Sequence, residues 1–266
     1  MKMHKLLVVV PVVSVVAFIA IAFCPPGKDR VSDPSFTPEQ RAWEAVLQKE
    51  LGSFYYPRYL DAKAIGRVTA WDFVKDDSSL SRVLIIGDSI SRGCTVPIRD
   101  ALKGRANVHR APANCGSTTN GLAKLDLWLG DDNWDLIVFN FGIHDRNIAS
   151  DVYEHNLKTM ISRLRPRSQT LLWLTTTPVP VGADEYVDGS IHRLNQTATS
   201  VMEMSGVSVF DLHAAILPNL KLYQLKKNCH FKEKGYRFMG KLIAQEVTAL
   251  LEDETAYHAP FMKKVD

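Results

Sequence analysis

From Arg82 onward the chain returns again and again to short, largely apolar runs: RVLIIG (82–87), NVHRA (107–111), DLIVFNF (135–141), QTLLWLT (169–175) and VSVFDL (207–212). The residues between the later runs carry a helical period instead. Tyr153, Leu157, Met160, Ile161 and Leu164 mark one stripe, Ile191, Leu194, Ala198 and Val201 the next, and Met239, Ile243, Val247 and Leu250 the last. Continuous apolar strands separated by amphipathic helices need both faces of a sheet covered, which means parallel strands with helices on either side. The pattern predicts a three-layer α/β/α, doubly wound, flavodoxin-like domain with a central parallel sheet of about five strands. In such sheets ligands bind outside the carboxyl ends of the strands, so the residues directly after each strand are the informative ones.

Around this domain, predicted over 81–255, lie three other segments. Lys2, His4 and Lys5 precede Leu6–Cys24, a run without a charge. That run is either an export signal or a membrane anchor: it is long enough to span a bilayer, yet Ala20 and Ala22 form a cleavable AxA pattern. Cys24 does not read as a lipoprotein site, because Phe23 stands where a small residue is needed. With the basic residues on the N-terminal flank, the remainder of the chain is expected outside the cytoplasm in either case. Residues 25–80 read as a polar linker and an extension with one helix, Thr37 to Leu51, whose Thr37, Pro38 and Gln40 form a capping-box start. Gly52 to Ser81 is aromatic-rich and reads as irregular, and residues 256–266 read as a tail.

Charge and cysteines exclude several classes. With 32 basic and 29 acidic residues, the chain has a formal charge of +3 that is evenly spread, so nucleic acid is not expected as a partner. Cys24, Cys94, Cys115 and Cys229 lack the paired spacing of a zinc site and are too few for a disulfide scaffold. Cys94 and Cys115, which follow the first two strand ends, read either as a disulfide pair or as two buried thiols. The glycosylation pattern at Asn195 falls on a predicted helix and carries no weight.

The strand ends carry the chemistry. The first run ends in GDSIS (87–91), the second leads to NCGSTTNG (114–121), the third ends in NFGIHD (140–145), and LKKNCHFKEKGY (225–236) opens the last helix. A serine, a glycine, a polar donor and a histidine thus follow one another along a single sheet edge. Their order resembles the SGNH, or GDSL-type, hydrolase superfamily over roughly Arg82 to Leu251. The resemblance implies that Ser89 is the nucleophile, that the backbone amides of Ser89 and Gly116 hold the oxyanion, and that His230 is the base, with neither metal nor cofactor required. His144 stands where the superfamily has the asparagine of GxND, a further oxyanion donor. A branch with GxHD, an NVHF-like last block and a TTPVP loop is most similar, and TTTPVP (175–180) fits it.

These residue types suit acyl transfer. A serine hydroxyl is a weak nucleophile until a base within hydrogen-bond reach takes its proton. Each preorganised oxyanion donor is typically worth about 3 kcal/mol. The departure lies at Lys227, which takes the place of the usual DxxH aspartate and neither fixes a histidine tautomer nor stabilises an imidazolium. The expectation is therefore a Ser-His dyad whose second ring nitrogen is held by a backbone carbonyl or by the Asn228 side-chain oxygen. Asp88 and Asp145 are expected to accept backbone N–H bonds that hold the turns. An esterase acting on small acyl groups, acetyl foremost, on carbohydrate follows from the resemblance and from short polar loops. A polysaccharide O-acyltransferase and a non-catalytic carbohydrate-binding module are the alternatives.

Overall fold

The structure is a computed structural model that describes residues 30–131, 133–183 and 189–253. The Leu6–Cys24 segment and the 256–266 tail lie outside the described residues. Among the described residues no helix is long and apolar enough to cross a membrane.

Five strands, β1 (Ser81–Ile86), β2 (Ala106–Arg110), β3 (Trp134–Phe139), β4 (Ser168–Leu174) and β5 (Ser208–Phe210), form one sheet in the order β2-β1-β3-β4-β5. All four pairings are parallel, with Val83 opposite both Val108 and Leu136. This is the doubly wound order of the flavodoxin-like class, whose strand order reverses beside β1. The helices among the described residues are α1 (Pro38–Glu50), α2 (Gly52–Ala64), α3 (Ser89–Ala101), α4 (Thr118–Leu129), α5 (Ser150–Leu164), α6 (Ser190–Met204), α7 (Leu212–Ile216), α8 (Leu220–Tyr223) and α9 (Glu233–Glu252). One large core fills both sides of the sheet and includes Ile85, Leu136, Phe139 and Trp173. Within it Cys94 and Cys115 are separate buried thiols rather than a disulfide, and burial pushes the Cys115 thiol up to about 11.

The extension departs from expectation. Residues 52–64, read as irregular, form α2 directly after α1, which does start with the expected capping box. Gly52 and the exposed Pro57 mask this helix in the sequence, and only Tyr59 on it is fully buried. What holds it is an aromatic cluster of Trp43, Tyr55, Tyr56, Tyr59 and Trp71 around Leu47 and Leu51. The Tyr59 hydroxyl donates to Glu44 at 2.6 Å, and Arg30 pairs with the same carboxylate at 2.9 Å. The extension is tied to the α/β domain by Arg99 Nη1, which donates to the Thr69 carbonyl at 3.1 Å, and by Asn107, which exchanges hydrogen bonds with the Asp77 backbone.

Helices α3 and α9 pack side by side, and their closeness depends on missing side chains. A Cβ on Gly93 would stand 2.2 Å from a Tyr236 ring carbon, and one on Gly240 would stand 2.5 Å from Pro97 Cβ. Since overpacking a filled contact generally costs about 1–3 kcal/mol, Gly93→Ala is expected to destabilise by at least that much. In a Tyr236→Ala background the same change should cost far less. Urea unfolding of the four proteins of this cycle measures the coupling, and additive losses would show that the two residues do not clash.

Candidate active site

Ser89 is the first residue of α3, at the carboxyl end of β1. Asp88 caps the helix, its Oδ1 accepting from the Ile90 N–H at 2.8 Å, so the turn is fixed by a local side-chain bond. Beneath it lies Arg110, the last residue of β2, only 1% exposed. Its Nη2 donates to the carbonyls of Gly87 (3.1 Å) and Asp88 (2.9 Å) and to Ser91 Oγ (3.2 Å). These acceptors all belong to the serine turn; Nη1 donates to the Ala111 carbonyl at 3.4 Å, and Nε is buried without a hydrogen-bond partner. The signal in the sequence was a charged residue closing a strand that should be buried on both faces.

His230 arrives from the other side, three residues before α9. An antiparallel bridge between Gln224 and Phe231 closes the loop that carries it, with Leu225 N donating to the His230 carbonyl at 3.0 Å. Gln224 Nε2 donates to Pro178 O at 2.6 Å, anchoring the loop on the TTTPVP segment. His230 Nε2 stands 2.8 Å from Ser89 Oγ. On the far side of the ring, Nδ1 lies 2.7 Å from Asn228 Oδ1, which also accepts from the His230 backbone N–H at 2.9 Å.

That second bond decides the tautomer. A backbone N–H is only a donor, so Asn228 presents its oxygen, and the ring nitrogen beside that oxygen must carry the hydrogen. Nε2 is then the unprotonated nitrogen and faces the serine hydroxyl. Lys227 is exposed at φ +50, a left-handed conformation in the loop, and takes no part in orienting the ring. Of the two holders expected for Nδ1, the structure contains the Asn228 oxygen. Burial first, then the charges of Arg92 and His144, draw the His230 pKa below the ordinary histidine range, with Asp88 opposing them.

The other motif residues meet at the same edge. Gly116 follows β2 with φ +70, where a side chain would be strained, and its neighbour Cys115 donates its N–H to the Gly87 carbonyl at 3.1 Å. His144 is exposed in a single turn after β3, Ile143–Asp145. Asp145 is buried, accepting from the Thr118 N–H through both oxygens at 3.0 Å and from the Thr118 hydroxyl at 2.6 Å. This carboxylate therefore clamps the His144 turn to the start of α4, directly after Gly116 and Ser117. Asn195 is likewise structural, its side chain bonding both Thr176 N (2.8 Å) and Thr176 O (2.9 Å).

The surroundings limit what fits. The cavity beneath the serine turn, lined by Ile90, Ser91, Asn140, Ile143 and Thr175 among others, holds about 20 Å³. A far larger cavity of about 730 Å³ lies between the extension and the sheet, lined by Trp43, Phe73, Arg82, His109 and Trp134 among others. None of Ser89, Gly116, His144 or His230 lines that larger cavity, so volume does not mark the chemistry here. Chemically, a neutral imidazole nitrogen against a serine hydroxyl, with backbone amides at a helix start beside it, is an arrangement for acyl transfer.

Comparison with known proteins agrees. The sequence profile of the GDSL-like Lipase/Acylhydrolase family matches residues 85–238, more than half of the chain. No curated protein matches the chain significantly. Among solved structures, a lipase/acylhydrolase from Enterococcus faecalis superposes with a TM-score of 0.57 at 22% identity, covering 64% of this chain and 96% of its own. An acetyl xylan esterase gives 0.55 at 17% identity, covering 62% and 99%, and an acetylxylan esterase from Geobacillus stearothermophilus gives 0.53 at 14% identity, covering 65% and 95%. These likenesses show a shared fold, and the profile match shows the family: the chain belongs to the GDSL-like lipase/acylhydrolase family and is an ester hydrolase.

Proposed function

We propose that the chain is a serine esterase that removes small acyl groups, acetyl foremost, from carbohydrate, with Ser89 as nucleophile and His230 as its base. The observation that carries this reading is the 2.8 Å contact between Ser89 Oγ and the unprotonated Nε2 of His230. In the forward step Nε2 takes the hydroxyl proton as Oγ attacks the ester carbonyl, and the imidazolium returns that proton to the departing sugar oxygen. The oxyanion is held by the amides of Ser89 and Gly116 and by the His144 ring. Water then repeats the sequence on the acyl-serine and releases the acid.

Two features favour a short acyl group on a polar alcohol. The cavity beneath the turn, about 20 Å³, has room for about one water, so no long acyl chain extends inward there. The fold also carries acetylxylan esterases in two of the solved structures above. The basic flank of Leu6–Cys24 supports work outside the cytoplasm, with the membrane as a partner wherever that segment is retained.

Ser89→Ala and His230→Ala are each expected to lower acetate-ester hydrolysis by about three orders of magnitude or more, and the double variant scarcely further, because members of one catalytic unit are not additive. Multiplying losses would break the pair apart. Acetate released from acetylated polysaccharides, against butyrate and octanoate esters as competitors, tests the substrate class. An enzyme that prefers octanoate would overturn it.

His144→Asn should keep most of the rate, whereas His144→Ala should lose about ten- to a thousand-fold, the range of one oxyanion donor. An alanine variant as fast as the parent would leave His144 outside the chemistry.

The neutral partner of His230 sets the pH profile. Activity needs the unprotonated ring and therefore rises with pH through its pKa. That pKa is lowered, so the acidic limb should lie below the ordinary histidine value of about 6.5. Asn228→Asp places a carboxylate on Nδ1, raises the pKa and moves the limb upward. A charge-assisted bond exceeds a neutral one by about 1–2 kcal/mol, so kcat on the plateau should rise about tenfold. Asn228→Ala should lower it. An acidic limb that stays put in Asn228→Asp would show that this side chain does not govern the ring.

A further inference from the structure

Arg92 stands one turn after Ser89 on α3. Side chains at i and i+3 share a helix face with their Cβ atoms about 5–6 Å apart and lean toward the helix N-terminus, so Arg92 extends back toward the serine end. Its guanidinium lies 5.0 Å from the centre of the Tyr55 ring and 5.5 Å from that of Trp71, both contributed by the extension. The side chain is half-buried: Nε is buried without a hydrogen-bond partner, and neither Nη is hydrogen-bonded among the described residues.

Its neighbours show what a structural arginine does in this region. Arg99 donates to the carbonyls of Val108 and Thr69, and Arg110 spends one Nη on three acceptors of the serine turn. Arg92 instead lies against aromatic rings and leaves its donors unspent. Among the described residues it forms no ion pair: Asp88 is buried and caps α3, and Asp145 is buried and committed to Thr118. A guanidinium held by aromatic contacts, with its fork unpaired beside a hydrolytic serine, is prepared for a planar anion, and carboxylate matches that fork in a bidentate way.

We propose that Arg92 is a specificity-determining residue that binds a carboxylate on the alcohol portion of the substrate, which makes acyl esters of uronic-acid sugars the preferred class. The claim rests on the esterase reading and deepens it. Positions 89 and 92 share one helix face a single turn apart, so the ester and the carboxylate belong to the same or adjacent sugars.

Two ester pairs test it. The first, 4-acetoxybenzoate and its methyl ester, differs in one carboxylate and contains no sugar; the second is acetylated polygalacturonate and acetylated neutral xylan. The readout is the ratio of kcat/KM for the charged over the uncharged member, in the parent, Arg92→Gln and Arg92→Lys. Intrinsic ester reactivity cancels between variants, and the folded fraction cancels within one preparation. Arg92→Gln should lower the ratio tenfold or more, mainly through KM, with Arg92→Lys in between. In the parent, galacturonate should inhibit at least ten times more strongly than galactose, which needs no variant to fold, and the preference should weaken as salt rises. An unchanged ratio in Arg92→Gln, or equal inhibition by the two sugars, overturns the assignment. If neither glycan is hydrolysed but the benzoate ratio falls, the carboxylate site stands and the carbohydrate reading fails.

Discussion

Everything at the sheet edge depends on how closely α3 and α9 approach. Ser89 begins one helix and His230 precedes the other, 141 residues later, yet Ser89 Oγ and His230 Nε2, the proposed reacting atoms, stand at hydrogen-bond distance. Proton transfer tolerates little error in that distance, so the two helices must pack without play. Gly93 accepts the Tyr236 ring and Gly240 accepts Pro97, each where a methyl group would overlap the neighbour. The serine end is further fixed to β2 through Arg110, and the histidine end to the loop after β4 through Gln224. The pair is therefore positioned by the core rather than by either loop alone.

Charge at the site follows a consistent division. The two acids of the motifs, Asp88 and Asp145, are buried and spend their oxygens on backbone N–H groups, so they build turns instead of moving protons. The histidine is oriented by a neutral amide. An amide that presented its nitrogen would impose the wrong tautomer and remove the base. Here the His230 backbone N–H prevents that by claiming the same oxygen. Orientation is retained without the carboxylate, and what is given up is electrostatic support for the imidazolium. Burial and the positive charge of Arg92 act in the same direction, lowering the pKa of the ring.

Much of this was legible in the sequence, and the parts that were not share a cause. Apolar runs and helical stripes report burial directly, so the five parallel strands and the residues after them could be placed, although β5 is shorter than VSVFDL suggests. Helix α2 was hidden because Gly52 and Pro57 are local breakers and its stabilisation comes from Trp43 and Trp71, which lie outside it. Arg110 was overlooked because a strand-end arginine is ordinarily solvated; its place in a doubly covered strand was the signal, and the tertiary structure shows the turn that surrounds it. For His230 the motif spacing pointed to position 227, while the ring is held from 228, by one of the two holders expected once Lys227 was set aside. Motif spacing locates a loop, but the backbone of that loop decides which side chain reaches inward; at Lys227 it is left-handed.

The extension then has a consequence beyond stability. Its aromatic cluster is small, and among the described residues its link to the α/β domain includes polar contacts, the Glu50–Lys124 ion pair and the ring faces turned to Arg92 and Arg110. Removing those faces would leave Arg92 a long, solvated side chain with many rotamers, and ordering such a chain on binding costs about 0.5–1.5 kcal/mol. With Tyr55 and Trp71 in place that ordering is already done, and the guanidinium loses water on one side before any ligand arrives. The segment that looked least regular in the sequence thus orders a cation one turn from Ser89, and under the proposed reading the substrate selectivity of this hydrolase is written partly outside its α/β domain.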